Sequence, residues 1–302
     1  MDMDQKMLQT TKTPTSLKYR ADASSSSGFE VDYDKFSLAL DYKSSPPSDT
    51  KRKGNTSYNG LGIALGGSKW RLESNWRRFK GFYDINTAAH DSTFKPDTSA
   101  YFQNPTLLAN SLKFKFIYFF NHKKFSYNSS YSYTARQIKS AFSWAFESNF
   151  HLDNMHADTS LVSNYVRKEY GSYADLNTLK VMGLSLGGGG TFNLIIWKRF
   201  FFNLALLIGP EMQWRTYGHR TGEWETRAYI GSAVDFRGAL GFNNRNFFIT
   251  VNGITDYNNY NSGQINFKSA YYLVTTNIGY RFKVKEPRIM KRIRSLKPYR
   301  WL

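Results

Sequence analysis

Apolar side chains fall on every second position between Leu112 and Leu152. Leu112, Phe114, Phe116, Tyr118 and Phe120 share one face, and after Asn121, His122 and Lys123 the face resumes at Phe125, Tyr127, Tyr131 and Tyr133. A third run holds Phe142, Trp144, Phe146, Phe150 and Leu152. The intervening positions are small or polar: Ser126, Asn128, Ser130, Ser132 and Thr134, then Ala141, Ser143, Ala145, Glu147 and Asn149. A period of two predicts strands with one apolar and one polar face. Each run is about 9–13 residues, longer than the usual 5–6 of a soluble strand and suited to a tilted strand crossing a bilayer. A soluble sandwich also alternates, but its polar face is usually rich in Thr, Lys and Glu. Here Ser, Ala, Gly and Asn crowd the polar face and the other face is aromatic. That combination predicts lipid outside and a side-chain-filled lumen inside.

The alternation recurs along the chain. Leu17–Arg20 predicts a short strand, and Phe36, Leu38, Leu40 and Tyr42 a longer one. Leu61, Ile63 and Leu65 alternate with Gly60, Gly62, Ala64 and Gly66. Beyond a turn at Gly67 and Ser68, the face resumes at Trp70, Leu72 and Trp76, which predicts a hairpin. Later strands are marked by Met182, Leu184 and Leu186, by Phe200, Phe202, Leu204, Leu206 and Ile208, and by Ile230, Val234, Phe236, Leu240 and Phe242. Phe247–Tyr257 and the run Tyr272, Val274, Ile278, Tyr280 and Phe282 follow. The expected fold is an all-β, closed antiparallel transmembrane barrel of about 10–12 strands, where a closed single-chain barrel needs an even number. One domain is expected over residues 29–284. A flexible Ser- and Thr-rich segment (1–28) precedes it and a basic tail (285–302) follows. Long loops are expected at 81–106 and 153–177, and the alternation of short turns with long loops loses phase across Asp153–Asn177.

Composition changes the picture in three places. Aromatic residues make up 17% of the 302 residues, which suits a barrel with interfacial girdles. No run approaches the length of about 18 apolar residues needed for a transmembrane helix, and the absence of cysteine excludes disulfide and thiol chemistry. A formal net charge of +18 suggests anionic partners, but the cations are not gathered on a nucleic-acid-binding module. The densest cluster is the tail, with Lys283, Lys285, Arg288, Lys291, Arg292, Arg294, Lys297 and Arg300 opposed by Glu286. It reads either as a solvated tail or as a contact for anionic headgroups or an acidic partner. The opening MDMDQKMLQT lacks an apolar core segment and is not a signal peptide. A processed or truncated form is therefore expected.

The stretch FNHKKFSYNSSYSYTARQIKSAFS, Phe120–Ser143, resembles a known family at Asn121, Lys124, Phe125, Ser126, Tyr127, Arg136, Gln137, Lys139, Ser140 and Ala141. The segment from Asn59 through Gly62 and Ile63 to Trp70 resembles the LGIG strand and hairpin of the same family. These are the uncharacterised outer-membrane barrel proteins of Bacteroidetes-type Gram-negative bacteria, grouped as a domain of unknown function. The resemblance covers roughly residues 30–284. It implies a bacterial outer-membrane location and a barrel, and no activity.

Several constellations invite chemistry. Gly183-Leu184-Ser185-Leu186-Gly187 matches GxSxG, yet no helix pattern follows to form a nucleophile elbow. His151, Asp153 and His156 form a loose metal-like cluster on an expected loop. The inferred inner face carries more: Arg71, Arg77, Lys113, Lys115, Arg215, Arg227, Arg237 and Arg281, with Glu73, Glu147, Glu211 and Asp235. Buried charges must be paired, so a salt-bridged lumen is expected, and the excess of cations leaves a conduit for anions as the alternative. Phe114, Phe116, Trp144, Phe146, Phe202, Leu204, Leu206 and Phe236 are expected to face lipid. The expected role is a non-enzymatic envelope scaffold or accessory subunit of a larger outer-membrane assembly. The alternatives are a small anion channel and an outer-membrane lipid hydrolase or acyltransferase. No cofactor, metal, catalytic residue or nucleic-acid partner is expected; membrane lipids and other outer-membrane proteins are.

Overall fold

The alternating stretches fold into one sheet. The computed structural model describes residues 3–10, 16–22, 26–44, 49–262, 265–282, 292 and 295, with side chains described over 17–255 and 273–282 within those bounds. Its strands are β1 (Met3–Thr10), β2 (Ser16–Ala21), β3 (Ser26–Tyr33), β4 (Phe36–Lys43), β5 (Ser57–Gly66), β6 (Trp70–Asp84) and β7 (Gln103–Phe119). They continue with β8 (Ala141–His156), β9 (Leu176–Ile196), β10 (Phe200–His219), β11 (Trp224–Asn243), β12 (Phe247–Ser262) and β13 (Ile265–Tyr280). Three single-turn helices, α1 (Thr50–Lys53), α2 (Thr87–His90) and α3 (Asn128–Tyr131), lie in the connections.

All ladders are antiparallel, and β3 to β13 are neighbours in chain order. The sheet curls around its polar face. The β1-β2 hairpin sits beyond β13, and β2 reaches β6 through Tyr19↔Asp84 and Arg20↔Tyr83. Connections at one end are tight turns: 67–69, 197–199 and 244–246. The second of these has Trp197 and Lys198, the central residues of the turn closed by Arg199 N–H to Ile196 O, at φ 49° and 60°, the left-handed values of a type I′ turn. At the other end run the long connections 44–56, 85–102 and 157–175.

Burial runs opposite to that of a soluble sheet. On β10, Phe202 and Leu206 are 43% and 42% exposed, whereas Asn203, Glu211 and Gln213 on the opposite face are fully buried. At these positions of β10 the residues that point inward are the polar ones. Two apolar clusters also lie inside. One joins Leu17, Tyr19, Phe79, Leu107, Met155 and Leu179 to Leu161, Val162, Val166 and Tyr170 from the long 157–175 connection. The other joins Ile117, Phe119, Ala145 and Leu207 to Phe125 and Tyr127.

The second cluster corrects the sequence reading. Phe125–Tyr133 is no strand: it carries α3 and folds back inside the sheet, with Phe125, Tyr127 and Tyr133 buried. Its polar positions, Asn128, Ser129, Ser130 and Ser132, are buried as well. A strand needs one face away from the interior, and this segment is enclosed on both. It is a long connection at the end of the tight turns, as 220–223 is a short one at the end of the long loops, so the strict alternation is broken there and not across Asp153–Asn177. The segment 1–28, expected as a flexible linker, instead carries β1, β2 and the start of β3. The basic tail lies outside the described residues apart from Arg292 and Ser295.

Candidate functional site: a plug in a charged interior

The segment 120–140 enters the interior from the short-turn end and is held by nearly every strand around it. Asn128 Oδ1 accepts from Arg71 Nη1 of β6 at 3.3 Å. Ser130 Oγ bonds Asn193 Oδ1 of β9 at 3.1 Å, and Tyr131 donates to Asn203 Oδ1 of β10 at 2.6 Å. Asn243 of β11 donates to the Ser129 carbonyl at 2.9 Å. Tyr133, at φ 54°, is fixed by Thr250 and Asn252 of β12 and Asn277 of β13, while Arg281 donates to its carbonyl at 2.6 Å. A left-handed tyrosine costs of order 1–3 kcal/mol and persists only where its surroundings over-determine it.

Tyr127 ties this plug to the charges. Its hydroxyl donates to Glu73 Oε1 at 3.1 Å and receives a hydrogen bond from Arg237. Glu73 lies between two guanidinium groups, Arg71 at 2.9 Å and Arg237 at 3.0 Å. Arg237 also pairs with Asp235 at 3.0 Å, and Asp235 with Lys115, whose ammonium is 3.6 Å from Glu147. Six of the twelve expected charges thus form one network across β6, β7, β8 and β11. Alternation places them all inward, and the sheet register brings Glu73 opposite Lys115.

A second group lies nearer the long-loop end. His151 is fully buried on β8, with Nδ1 2.7 Å from Asp153 and Nε2 3.0 Å from Glu211 of β10. Its imidazole covers Gly183 so closely that a Cβ there would meet Nε2 at 2.0 Å, so the glycine makes room for the ring. Gln213 bridges Glu211 to Arg215 Nε, and the Arg215 guanidinium lies 4.2 Å over the Tyr229 ring.

Four further expected charges are Arg77, Lys113, Arg227 and Arg281. Arg77 is half-buried within electrostatic reach of Asp41, and Lys113 is buried within reach of Asp153. Arg227 pairs with Glu225 on its own strand. Arg281 bonds carbonyl and amide oxygens, including Asn244 O at 2.6 Å and Asn243 Oδ1 at 2.8 Å. On the outer wall Phe114, Trp144, Phe146, Phe202, Leu204, Leu206 and Phe236 are exposed and Phe116 is half-buried.

Ser185 of the GxSxG pentapeptide sits mid-strand in β9, buried, opposite Asn149 and Glu211, with no strand-to-helix turn. His151 and Asp153 lie on a strand, not a loop, and face inward. His156 points elsewhere, to Thr178 Oγ1 at 2.9 Å. Among the described residues no group of three His, Cys, Asp or Glu side chains is placed to hold a metal ion. Sequence reasoning missed His151 as an interior anchor and the plug residues Asn128, Ser129 and Ser130. The signal for both was present, since His151 keeps the parity of Glu147 and Asn149, and a run of serines is too polar for a wall strand.

A comparison with curated proteins finds no match. A family model described as a domain of unknown function, DUF4421, matches residues 1–282, so the chain belongs to the DUF4421 family.

Proposed function

We propose that the protein is an integral β-barrel of a bacterial outer membrane, closed to solutes, acting as a non-enzymatic scaffold or accessory subunit of a larger envelope assembly. The observation that carries this reading is the inversion of burial: charges and amides inside, an apolar belt outside. Phe200–Met212 on β10 is about 13 residues, and at about 3.4 Å each and a tilt near 45° it rises about 30 Å, the thickness of a hydrocarbon core. Exposed aromatic residues gather at the short-turn end: Phe120, Phe142, Trp144, Trp197, Phe200 and Phe282. Such a girdle suits the membrane–water interface. No helix among the described residues is long and apolar enough to span a membrane, so strands are the spanning elements in this reading. Short turns would face the periplasm and long loops the exterior.

The plug and the two interior clusters favour a closed lumen over an anion conduit. Arg71, Lys115 and Arg237 are matched by carboxylates, and Arg281 is matched by carbonyl and amide oxygens.

The test is insertion. The chain should float with lipid vesicles after alkaline washing. Phe202→Arg, which places a cation against hydrocarbon, should cost about 2–4 kcal/mol of stability in vesicles. A chain that stays in water without detergent, or a Phe202→Arg variant as stable as the parent in lipid, would sink the membrane reading.

A further inference from the structure

The two rims of the sheet differ in charge. At the short-turn end the connections are 34–35, 67–69, 120–140, 197–199 and 244–246, with 281–282 after β13. Together they hold ten Lys and Arg residues and one acid, Asp34. The connections at the other end, 44–56, 85–102, 157–175 and 220–223, hold seven residues of each sign. An excess of cations spread evenly over the molecule would charge both rims alike. Here it is gathered on one.

These cations stand beside the aromatic girdle. Lys69, Lys198, Arg199 and Arg245 are exposed on three tight turns. The Lys69 ammonium lies 5.7 Å over the Tyr118 ring, and Lys198 and Arg199 fall between Trp197 and Phe200. Two more guanidinium groups share the mouth of the plug. Arg136 donates from Nη2 to the Lys198 carbonyl at 2.6 Å and lies within electrostatic reach of Arg281. The oxygens that accept from this pair are neutral, so they satisfy donors without cancelling charge. The buried Arg136 Nε has no hydrogen-bond partner among the described residues. Two like charges held this near each other are stabilised by an anion beside them.

We propose that this rim binds the phosphates of anionic phospholipids in the leaflet around it, the periplasmic one in the orientation given above. The girdle sits at the membrane–water boundary, and the Lys and Arg side chains of the turns reach the headgroups just beyond it. Arginine meets phosphate oxygens in pairs and lysine meets them as a point charge. Near an anionic surface each such cation is worth a factor of about five in binding. An acidic protein is the rival occupant. Lipid is favoured because the cations follow the wall from turn to turn beside the girdle, as a surrounding leaflet requires. Such contact presupposes the membrane reading above.

The test places the full chain in phosphatidylcholine bilayers and compares spin-labelled phosphatidylglycerol with spin-labelled phosphatidylcholine in the motionally restricted shell around the protein. Phosphatidylglycerol should be preferred by about threefold or more, and the preference should fall toward parity at high salt. A variant carrying Lys69→Gln, Lys198→Gln, Arg199→Gln and Arg245→Gln should lose most of it. A variant with as many exposed cations removed from the other rim, Lys51→Gln, Lys95→Gln, Lys168→Gln and Arg220→Gln, should keep it. Parity in the parent overturns the proposal and leaves the rim to an acidic protein. A preference indifferent to salt overturns it too, and that arm uses the parent alone, so it decides even if the turn variant does not insert. A preference that survives the turn variant moves the lipid contact to the cations of 283–300, and one lost equally in both variants reduces it to net charge; either result overturns the proposal. Vesicle flotation is scored separately. A chain that never floats ends the membrane reading and the headgroup contact together, whereas one that floats and shows parity ends the headgroup contact alone.

Discussion

The two ends of the interior are packed with opposite chemistries. At the long-loop end, the 157–175 connection lays Leu161, Val162, Val166 and Tyr170 onto Leu17, Tyr19, Phe79 and Leu179, as in the core of a soluble protein. Its hydrogen bonds are made largely to backbone carbonyls: the Tyr19 hydroxyl donates to Leu161 O at 2.7 Å, and Ser160 Oγ to Ala174 O at 2.9 Å. At the short-turn end, the 120–140 plug is held by amides, hydroxyls and guanidinium groups from six strands. A single strand shows the change: the inward residues of β9 run from Leu179 and Val181 through Ser185 to Thr191 and Asn193. An apolar cap is fixed by shape and tolerates local repacking, whereas a buried polar plug is stable only while every charge has its partner.

The sharpest way to break this contrast is to remove the acid between two guanidinium groups. Glu73→Ala leaves Arg71 and Arg237 facing each other in the interior and should cost about 3–5 kcal/mol in urea unfolding from vesicles. A loss under about 1 kcal/mol would mean that water already screens the site. The matching change in the cap, Leu161→Ala, should cost about 2–5 kcal/mol through the cavity it leaves. Its cost should be insensitive to salt, whereas that of Glu73→Ala should vary with ionic strength if water reaches the network.

The smallest effect belongs to the rim of the cap. The hydrogen bond from His219 Nδ1, 2.8 Å from Asp175 Oδ1, holds the Asp175 carboxyl below its ordinary range. A depressed folded-state value contributes stability above the unfolded value of about 4, and that contribution is lost as pH falls through the folded value. Unfolding midpoints of the parent should therefore drop toward acid more steeply than those of Asp175→Asn. Parallel curves would remove Asp175 from the account.

Most of the wall was legible in the sequence because period-two patterning survives any register, and Arg71, Glu73, Asp235 and Arg237 fell inward by parity alone. Which cation meets which acid was not legible, since Glu73 and Arg237 are far apart in the chain and meet only across the curled sheet. Phe125–Tyr133 misled because a plug that inserts aromatic rings between polar groups copies the alternation of a strand. The breaks at Asn121–Lys123 and Ala135–Lys139, with four serines between, marked it as something else. β1 and β3 were hidden by Met, Gln, Thr and Ser content, and their strand state depends on partners distant in the chain, β13 for one and β4 for the other.

The central claim is that this interior is sealed, and conduction tests it directly. Purified protein in planar bilayers should show no stable open pore across the physiological voltage range, because the plug and the cap fill both ends. Steady anion-selective current from the intact chain, abolished by neutralising Arg227 and Arg237, would contradict the sealed interior and make the surplus cations the lining of a channel.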